Sequence, residues 1–383
     1  QQCFLAMAKK RRGKRQSGCK VVVATPKRSD AEKRIEAALQ ADPVDVDVIT
    51  AEARANALPD ALRSRAWMAL LRLRDDEIVD PEAALARDGY HDELDQVEKD
   101  VERSMWRWGT CEHEYHDRIA YRERLTVEMN AVLCLHRELH YYQGYHDIAT
   151  VLLMCTEDTR LAFGMLRRLS LSYLREHMRP TLQEVMKELA LLFPLLKCVD
   201  PELEEVFQSC SLAPFFALSW VLTWFSHDFT VPSTLLRLFD LFLSSHPLMP
   251  LYFGVALIVY RREEILKEER DFSMLHSKLS KVPRDLEGKV VDMLIKRAQG
   301  FFARYPPARL LRGMEDVSSD AMYLQYPYDW MANSEHFKCS GRLEESGSGG
   351  GEVLGISVNT LLVASVVVVG AVAVYALQSD VKM

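Results

Sequence analysis

Apolar residues recur at spacings of three and four positions almost everywhere between residues 30 and 312 of this chain. One such stripe consists of Leu182, Val185, Met186, Leu189, Leu192 and Phe193. This spacing is typical of helices that bury one face, whereas the alternation expected of a half-buried strand is nearly absent. The sequence therefore predicts an all-α fold.

Prolines mark the expected ends of the helices, because proline lacks the amide hydrogen that a helix interior requires. The predicted breaks are Asp42-Pro43, Asp80-Pro81, Pro180, Asp200-Pro201, Pro232, Pro247, Pro283 and Pro306-Pro307. No long-period repeat occurs. With 48% hydrophobic residues among 383, the chain can bury a large core, and we predict a single multi-helix domain over residues 30–335.

The C-terminal part of the sequence has a different character, since no charged residue occurs from Val353 to Gln378. About 20 apolar residues in a helix cross the hydrocarbon core of a bilayer. We therefore predict a transmembrane helix over residues 353–378, preceded by a flexible Gly- and Ser-rich linker over 336–352. Because few residues follow this helix, we expect a single-pass tail anchor with the bulk of the chain facing the cytosol.

Two further uncharged stretches, residues 206–227 and 241–260, are long enough to compete as membrane segments. Pro214 interrupts the first, while Pro247 and Pro250 interrupt the second, and each removes an amide donor that lipid cannot replace. Buried helices of a folded domain are the favoured interpretation. The alternative is a membrane hairpin in a multi-pass, membrane-shaping protein.

Residues 1–29 are basic and carry little apolar periodicity, so we expect a disordered segment. A solvated tail is the favoured interpretation, and contact with acidic lipids is the alternative. The net charge of −7 argues against a protein that wraps nucleic acid. Eight scattered cysteines without a C-x-x-C pair indicate reduced thiols and a cytosolic environment.

The histidine-rich stretch "HRELH", residues 136–140, is a candidate metal site because it would place two imidazoles one turn apart on a helix. A zinc protease needs glutamate at the second position, where Arg137 stands. The stretch "CEHEYH", residues 111–116, has no spacing that obliges it to join the first. We therefore predict ordinary helix-face histidines and no metal ligands.

The stretch "QVEKDVERSMWRWG", residues 96–109, predicts a helix whose buried stripe is formed by Val97, Val101, Met105 and Trp108. Asp100 lies one turn before Arg103 and is placed to hold that arginine. Taken alone, such a pair is an exposed ion pair worth well under about 1 kcal/mol.

This chain resembles the TBC-domain family, whose members activate Rab GTPases. The family signature I-x-x-D-x-x-R is matched by Val97, Asp100 and Arg103 with one conservative change. The resemblance continues in "LRSRAW" at residues 62–67, "FFALSWVLTWF" at 215–225 and "LLRLFDLFL" at 235–243. It therefore spans essentially the whole helical region and implies a TBC-type fold.

A second family motif, of the form Y-x-Q-G-x-N-D, is matched within "LHYYQGYHD" by Tyr141, Gln143, Gly144 and Asp147. The chain departs from the family at residues 145–146, where tyrosine and histidine replace a small or sulfur-containing residue and asparagine. This departure is expected to alter the packing of the loop without changing Gln143.

The resemblance implies that Arg103 is an arginine finger and Gln143 a glutamine finger, both directed at a nucleotide on a partner GTPase. By the same resemblance, Asp100 positions Arg103, Gly144 permits close approach of the backbone, and Tyr141 and Asp147 hold the loop. Such fingers stabilise charge on the phosphoryl oxygens and orient the attacking water.

The implied partner is a Rab-family GTPase that brings its own GTP and Mg²⁺, so no cofactor of this chain is expected. The lipid bilayer is the second expected partner, through residues 353–378, and no nucleic acid is expected. Together with "HYYQGYHD" at residues 140–147 and "SSHPLMP" at 244–250, the tail anchor makes the chain similar to a family member of the endoplasmic reticulum that acts on Rabs of the early secretory route, and that membrane is the expected location. The alternative function is a membrane-anchored helical scaffold that binds Rab, or another partner, without stimulating hydrolysis.

Overall fold

The computed structural model describes residues 29–104, 112–313 and 318–328, and the regular structure within these ranges is helical, without a β-strand. The α-helices, numbered α1 to α18 in chain order, are Asp30–Gln40, Val46–Ala55, Asp60–Leu70, Pro81–Asp88, Leu94–Arg103, Glu112–Leu135, Tyr145–Cys155, Thr159–Leu171, Gln183–Ala190, Leu192–Val199, Pro201–Ser209, Leu218–Leu222, Pro232–Leu243, Met249–Tyr260, Arg262–Leu266, Phe272–Leu279, Lys289–Arg304 and Pro307–Leu310. The prediction of an all-α fold is confirmed.

The predicted breaks fall at helix starts or in connecting segments. Helices α4, α11, α13 and α18 each begin at a proline, where the missing amide hydrogen costs no intrahelical bond. Asp80 and Asp200 cap α4 and α11 by accepting hydrogen bonds from backbone N–H groups in the first turn. Local sequence chemistry therefore sets many of the boundaries.

Helix α14 lies at the centre of the fold and packs against α10, α12 and α17. Its neighbours include an aromatic cluster in which the ring of Phe225 lies 5.1 Å from that of Phe253 and 5.9 Å from that of Trp220. All three side chains are buried. The apolar stretches 206–227 and 241–260 thus supply much of this core.

Within the described ranges, no single helix is long and apolar enough to cross a membrane. One pair, α11 with the segment Pro214–Leu222, passes by length and composition but is bent by 119°. The predicted transmembrane helix at 353–378, the linker at 336–352 and residues 1–28 of the basic segment lie outside the described residues.

Three of the sequence segments that carry the family resemblance meet in the core. Asp240 on α13 accepts hydrogen bonds from the indole of Trp67 at 2.8 Å and from Arg63 at 3.1 Å, both on α3. The ring of Trp224, from the third segment, lies 5.4 Å from that of Phe239 beside Asp240. Burial raises the pKa of Asp240 to about 6, although the Arg63 charge opposes this shift. These contacts join the N-terminal and C-terminal parts of the domain.

The prediction that residues 136–140 lie on one helical face is wrong. Helix α6 ends at Leu135, and the following residues form a turn. Leu139 is buried in the core, and the N–H of His140 donates to the carbonyl of Met178 at 2.8 Å. A hydrogen bond to a distant part of the chain therefore replaces the helical one.

Two other predicted helical stripes are shorter than expected. The stripe from Leu182 to Phe193 is divided at Leu191 into α9 and α10. Helix α5 ends at Arg103, so only Val97 and Val101 of the predicted stripe are seen as buried residues on that helix. Residues 105–111, which include the other two members, lie outside the described ranges.

Candidate functional site

Arg103 is the last residue of α5, and its side chain is 69% exposed. Its Nε donates to the carbonyl of Lys99 at 3.0 Å, and its Nη2 donates to Oδ1 of Asp100 at 2.5 Å. Val97 and Val101 anchor the opposite face of the helix in the core. The guanidinium is therefore held at its base by its own helix while the rest of the fork faces solvent.

Asp100 is buried, with only 2% of its side chain exposed, and it joins the two predicted site segments. One carboxylate oxygen accepts from Arg103, and the other accepts from the phenol of Tyr141 at 2.9 Å. Burial, followed by the nearby Asp100 charge, raises the pKa of Tyr141. Tyr141 consequently remains a neutral donor at physiological pH.

Hydrogen bonds to several other parts of the chain anchor the segment between α6 and α7 together with Tyr145, the first residue of α7. The anchoring contacts are the N–H of His140 with the carbonyl of Met178, the N–H of Tyr141 with Glu93, the phenol of Tyr142 with the carbonyl of Leu222, and the phenol of Tyr145 with Ser170. Gln143 is exposed near the C-terminal end of this segment, two positions before α7, and makes no hydrogen bond with a described residue. The loop thus presents one carboxamide from a fixed backbone.

Gly144 gives the loop its shape. Its φ of +108° lies in the left-handed region that favours glycine, and a Cβ added there would lie 2.6 Å from Cγ2 of Thr223. Gly144 therefore allows the loop to lie directly against Thr223, in the segment after α12. Two factors, the backbone conformation and the packing against Thr223, therefore favour glycine at position 144.

Asp147 in the first turn of α7 connects the loop to the same segment, because its Oδ2 lies 3.2 Å from Nδ1 of His227. His227 is 64% exposed. The neighbouring Asp228 accepts from Ser219 at 3.1 Å, and burial raises its pKa to about 6 against the opposing influence of His227. Three titratable side chains, those of Asp147, His227 and Asp228, thus lie near the base of the loop.

The structure brings Asp100, Arg103 and Tyr141 into direct contact and places Gln143 two residues beyond Tyr141. Glu93, Thr223 and His227 contact the loop from 48 to 80 positions away, and none of them was predicted as a site residue. No motif marks Glu93 or His227, and Thr223 lies in the segment 215–225 that carries the family resemblance without any sign there that it contacts the loop, because the three residues and their neighbours in space are distant in sequence. Among the described residues, no group of three His, Cys, Asp or Glu side chains is placed to hold a metal ion.

The fold and this geometry define an all-helical protein that displays a guanidinium and a carboxamide from two linked segments. The family model described as the Rab-GTPase-TBC domain matches residues 60–266. The chain belongs to this family.

Similarity to individual relatives supports that assignment. The chain is similar to mouse TBC1 domain family member 20, with 35% identity over 288 residues, which cover 75% of this chain and 70% of the relative. It is 32% identical to the GTPase-activating protein gyp10 of Schizosaccharomyces pombe over 252 residues, covering 65% and 66% of the two chains. The crystal structure of the Ypt/Rab-GAP domain of Gyp1p shares the fold, with a TM-score of 0.59 at 16% identity, over 72% of this chain and 100% of that one.

Proposed function

We propose that this protein is a GTPase-activating protein for Rab-family GTPases and supplies Arg103 and Gln143 in trans. The observation that carries the proposal is the connection of Arg103 to the Gln143 loop through Asp100 and Tyr141. This connection couples the position of an exposed cation to that of an exposed amide. The match to the Rab-GTPase-TBC domain family and the name of the relative gyp10, a GTPase-activating protein, support the same activity.

The chemistry of GTP hydrolysis suits these two groups. Charge builds up on the phosphoryl oxygens in the transition state, and an arginine inserted by a partner is worth roughly 10³ to 10⁵ in rate. The guanidinium is always charged, and its planar fork matches phosphate oxygens. A carboxamide can both donate and accept a hydrogen bond, so Gln143 can orient the attacking water without adding charge.

The supporting residues keep the two fingers in place before the partner binds. Asp100 restrains Arg103 at Nη2, which leaves other N–H groups of the fork for phosphate oxygens. Tyr141 fixes the second oxygen of Asp100 and thereby holds the loop against α5. GTP and Mg²⁺ belong to the Rab in this scheme, and the chain contributes no nucleotide site or metal ligand.

We also propose that residues 353–378 anchor the protein in the endoplasmic reticulum membrane, where it acts on Rabs of the early secretory route with its domain in the cytosol. The length and composition of this segment support the anchor. Alkaline carbonate extraction, protease protection and imaging of the full chain with organelle markers test it. Release into the carbonate supernatant would contradict the anchor, and co-localisation with another organelle would contradict the location.

The activity is tested by single-turnover GTP hydrolysis with a panel of Rabs. We expect Arg103→Ala to lower the stimulated rate by about 10³ and Arg103→Lys to recover little of it, because an ammonium lacks the fork. Gln143→Ala is expected to lower the rate by at least about 10². The exposed residues Arg65 and Gln96 provide the matched controls Arg65→Ala and Gln96→Ala.

A scaffold that binds Rab without stimulating hydrolysis would give the same curve for the wild type, Arg103→Ala and Gln143→Ala. Binding measured in parallel separates the two functions. The proposal is supported if both variants still bind the Rab but stimulate the hydrolysis of its GTP only weakly.

A further inference from the structure

Tyr141 is bound by helix α5 at two places. Its backbone N–H donates to Oε2 of Glu93 at 2.7 Å, immediately before the helix, and its phenol donates to Asp100 at 2.9 Å, near the end. Seven residues of helix rise by about 10 Å, so the two contacts are well separated along the axis. Helix α5 therefore holds both the backbone and the side chain of the residue that lies two positions before Gln143.

The side chain of Glu93 is directed to the loop rather than to its own helix. Glu93 is the N-cap residue of α5, a position where the shorter carboxylate of Asp commonly accepts from a backbone N–H of the first turn, and the Glu93 side chain makes no such bond. Its Oε1 instead lies 3.6 Å from Nδ1 of His140. Both carboxylate oxygens therefore face the segment that presents Gln143.

The position of Glu93 is itself fixed. Its backbone N–H donates to Nδ1 of His91 at 3.2 Å, and the N–H of His91 donates to the side chain of Asn130 at 3.0 Å. Asn130 is buried in α6, the helix that leads into the loop. The backbone of Glu93 is thus tied through His91 to the helix before the loop, and it continues directly into the helix that carries Arg103.

We propose that Glu93 is a positioning residue for Gln143, in a role that rests on the proposed GTPase-activating function. By holding the Tyr141 amide, Glu93 fixes the backbone from which Gln143 extends and sets its distance from Arg103 on the same helix. A displacement of about 1 Å in a positioned group can cost 10²-fold in rate. Binding of the Rab depends on a wider surface and is not expected to depend on this one contact.

Three substitutions at Glu93 separate positioning from general stability. Glu93→Ala removes the acceptor, and Glu93→Gln keeps an acceptor oxygen at the same reach without the charge. Glu93→Asp keeps the charge and is a better N-cap, but its carboxylate is withdrawn from the loop. Asp95→Ala is the matched control, because Asp95 is an exposed carboxylate in the first turn of α5.

Two measurements on the full chain are needed, namely hydrogen exchange at the Tyr141 amide and single-turnover hydrolysis over a range of concentrations of the chain. In Glu93→Ala and Glu93→Asp we expect amide exchange to rise at least about tenfold. We also expect the maximal hydrolysis rate to fall about tenfold, while half-saturation changes less than about twofold. Glu93→Gln should remain within about threefold of the wild type, and Asp95→Ala should match it.

Unchanged exchange at Tyr141, or faster exchange with an unchanged maximal rate, would overturn the role of Glu93. Equal losses in Glu93→Gln and Glu93→Ala would also overturn it, because the charge rather than the acceptor would then matter. A wild-type chain that accelerates no Rab would overturn the proposed function instead. Should Glu93→Ala fail to fold, Glu93→Asp provides the same comparison.

Discussion

The phenol of Tyr141 donates a hydrogen bond of 2.9 Å to the buried carboxylate of Asp100, which lies 41 positions earlier in the sequence. Asp100 is the residue that restrains Arg103, so this bond ties the two proposed finger segments together. It is also a charge-assisted bond, a class that is about twice as strong as a neutral hydrogen bond. Its consequences can be measured directly.

Tyr141→Phe removes this bond while keeping the aromatic ring. We expect the maximal rate of Rab GTP hydrolysis to fall about tenfold, because Asp100 loses one of its two donors and Arg103 is held less firmly. Single-turnover kinetics at saturating concentration of the chain measure the effect. Tyr90→Phe, at a tyrosine that is 71% exposed, serves as the control. An unchanged rate for Tyr141→Phe would contradict the positioning role.

Gly144→Ala is expected to destabilise the domain by about 1–3 kcal/mol, because a side chain at positive φ is strained. The new Cβ would also meet Cγ2 of Thr223, so the double variant with Thr223→Ser should recover part of the loss. Urea unfolding measures these differences. Gly300→Ala on α17 is the control, and it should stabilise by about 0.5–1 kcal/mol since the site is open and helical. Equal stability of Gly144→Ala and the wild type would be inconsistent with the loop geometry.

Asp240→Asn tests the core contact between α13 and α3. Removing one charge of a buried ion pair leaves the Arg63 guanidinium without its buried carboxylate partner, and we expect a loss of about 3–5 kcal/mol in the free energy of unfolding. Asp60→Asn removes an exposed partner of the same arginine and should cost less than about 1 kcal/mol. Chemical unfolding measures the stability of both variants. Similar losses in the free energy of unfolding for Asp240→Asn and Asp60→Asn would contradict a buried pair between Arg63 and Asp240.

The buried side chain of Glu128 on α6 is expected to make the stability of the domain depend on pH. The residue is fully buried, and neither carboxylate oxygen has a hydrogen-bond partner in the described part of the chain. Burial raises its pKa to about 8, against a lowering influence of Arg124. Because the folded state binds this proton more tightly than the unfolded state, stability is expected to fall as pH rises from about 4.5 to about 8.

Glu128→Gln should remove this slope, since the amide does not titrate. Between pH 5 and pH 8, the wild type is expected to lose on the order of 3 kcal/mol relative to the variant, measured by unfolding at each pH. Glu123→Gln, at an exposed position of the same helix, should leave the slope unchanged. Parallel pH profiles for the wild type and Glu128→Gln would show that Glu128 is not protonated in this way.

The all-helical fold and many helix boundaries could be predicted because their causes are local. A spacing of three and four residues reports a buried helix face, and proline prevents continuation of a helix wherever it occurs. Asp80-Pro81 and Asp200-Pro201 confirm this, because capping side chain and proline are adjacent in sequence. The resemblance in short motifs also predicted Arg103 and Gln143 as the candidate fingers.

Only the tertiary structure decided where α5 and α6 end and which residues support the loop. The N–H of His140 bonds to Met178 rather than continuing a helix, and Glu93 and Thr223 reach the loop from separate parts of the chain. Periodicity records that a face is buried, but it does not record which distant group is buried against it. The sequence by itself thus determined the helices and pointed to the candidate fingers, whereas the packing of helices far apart in the chain determined the contacts that hold those fingers.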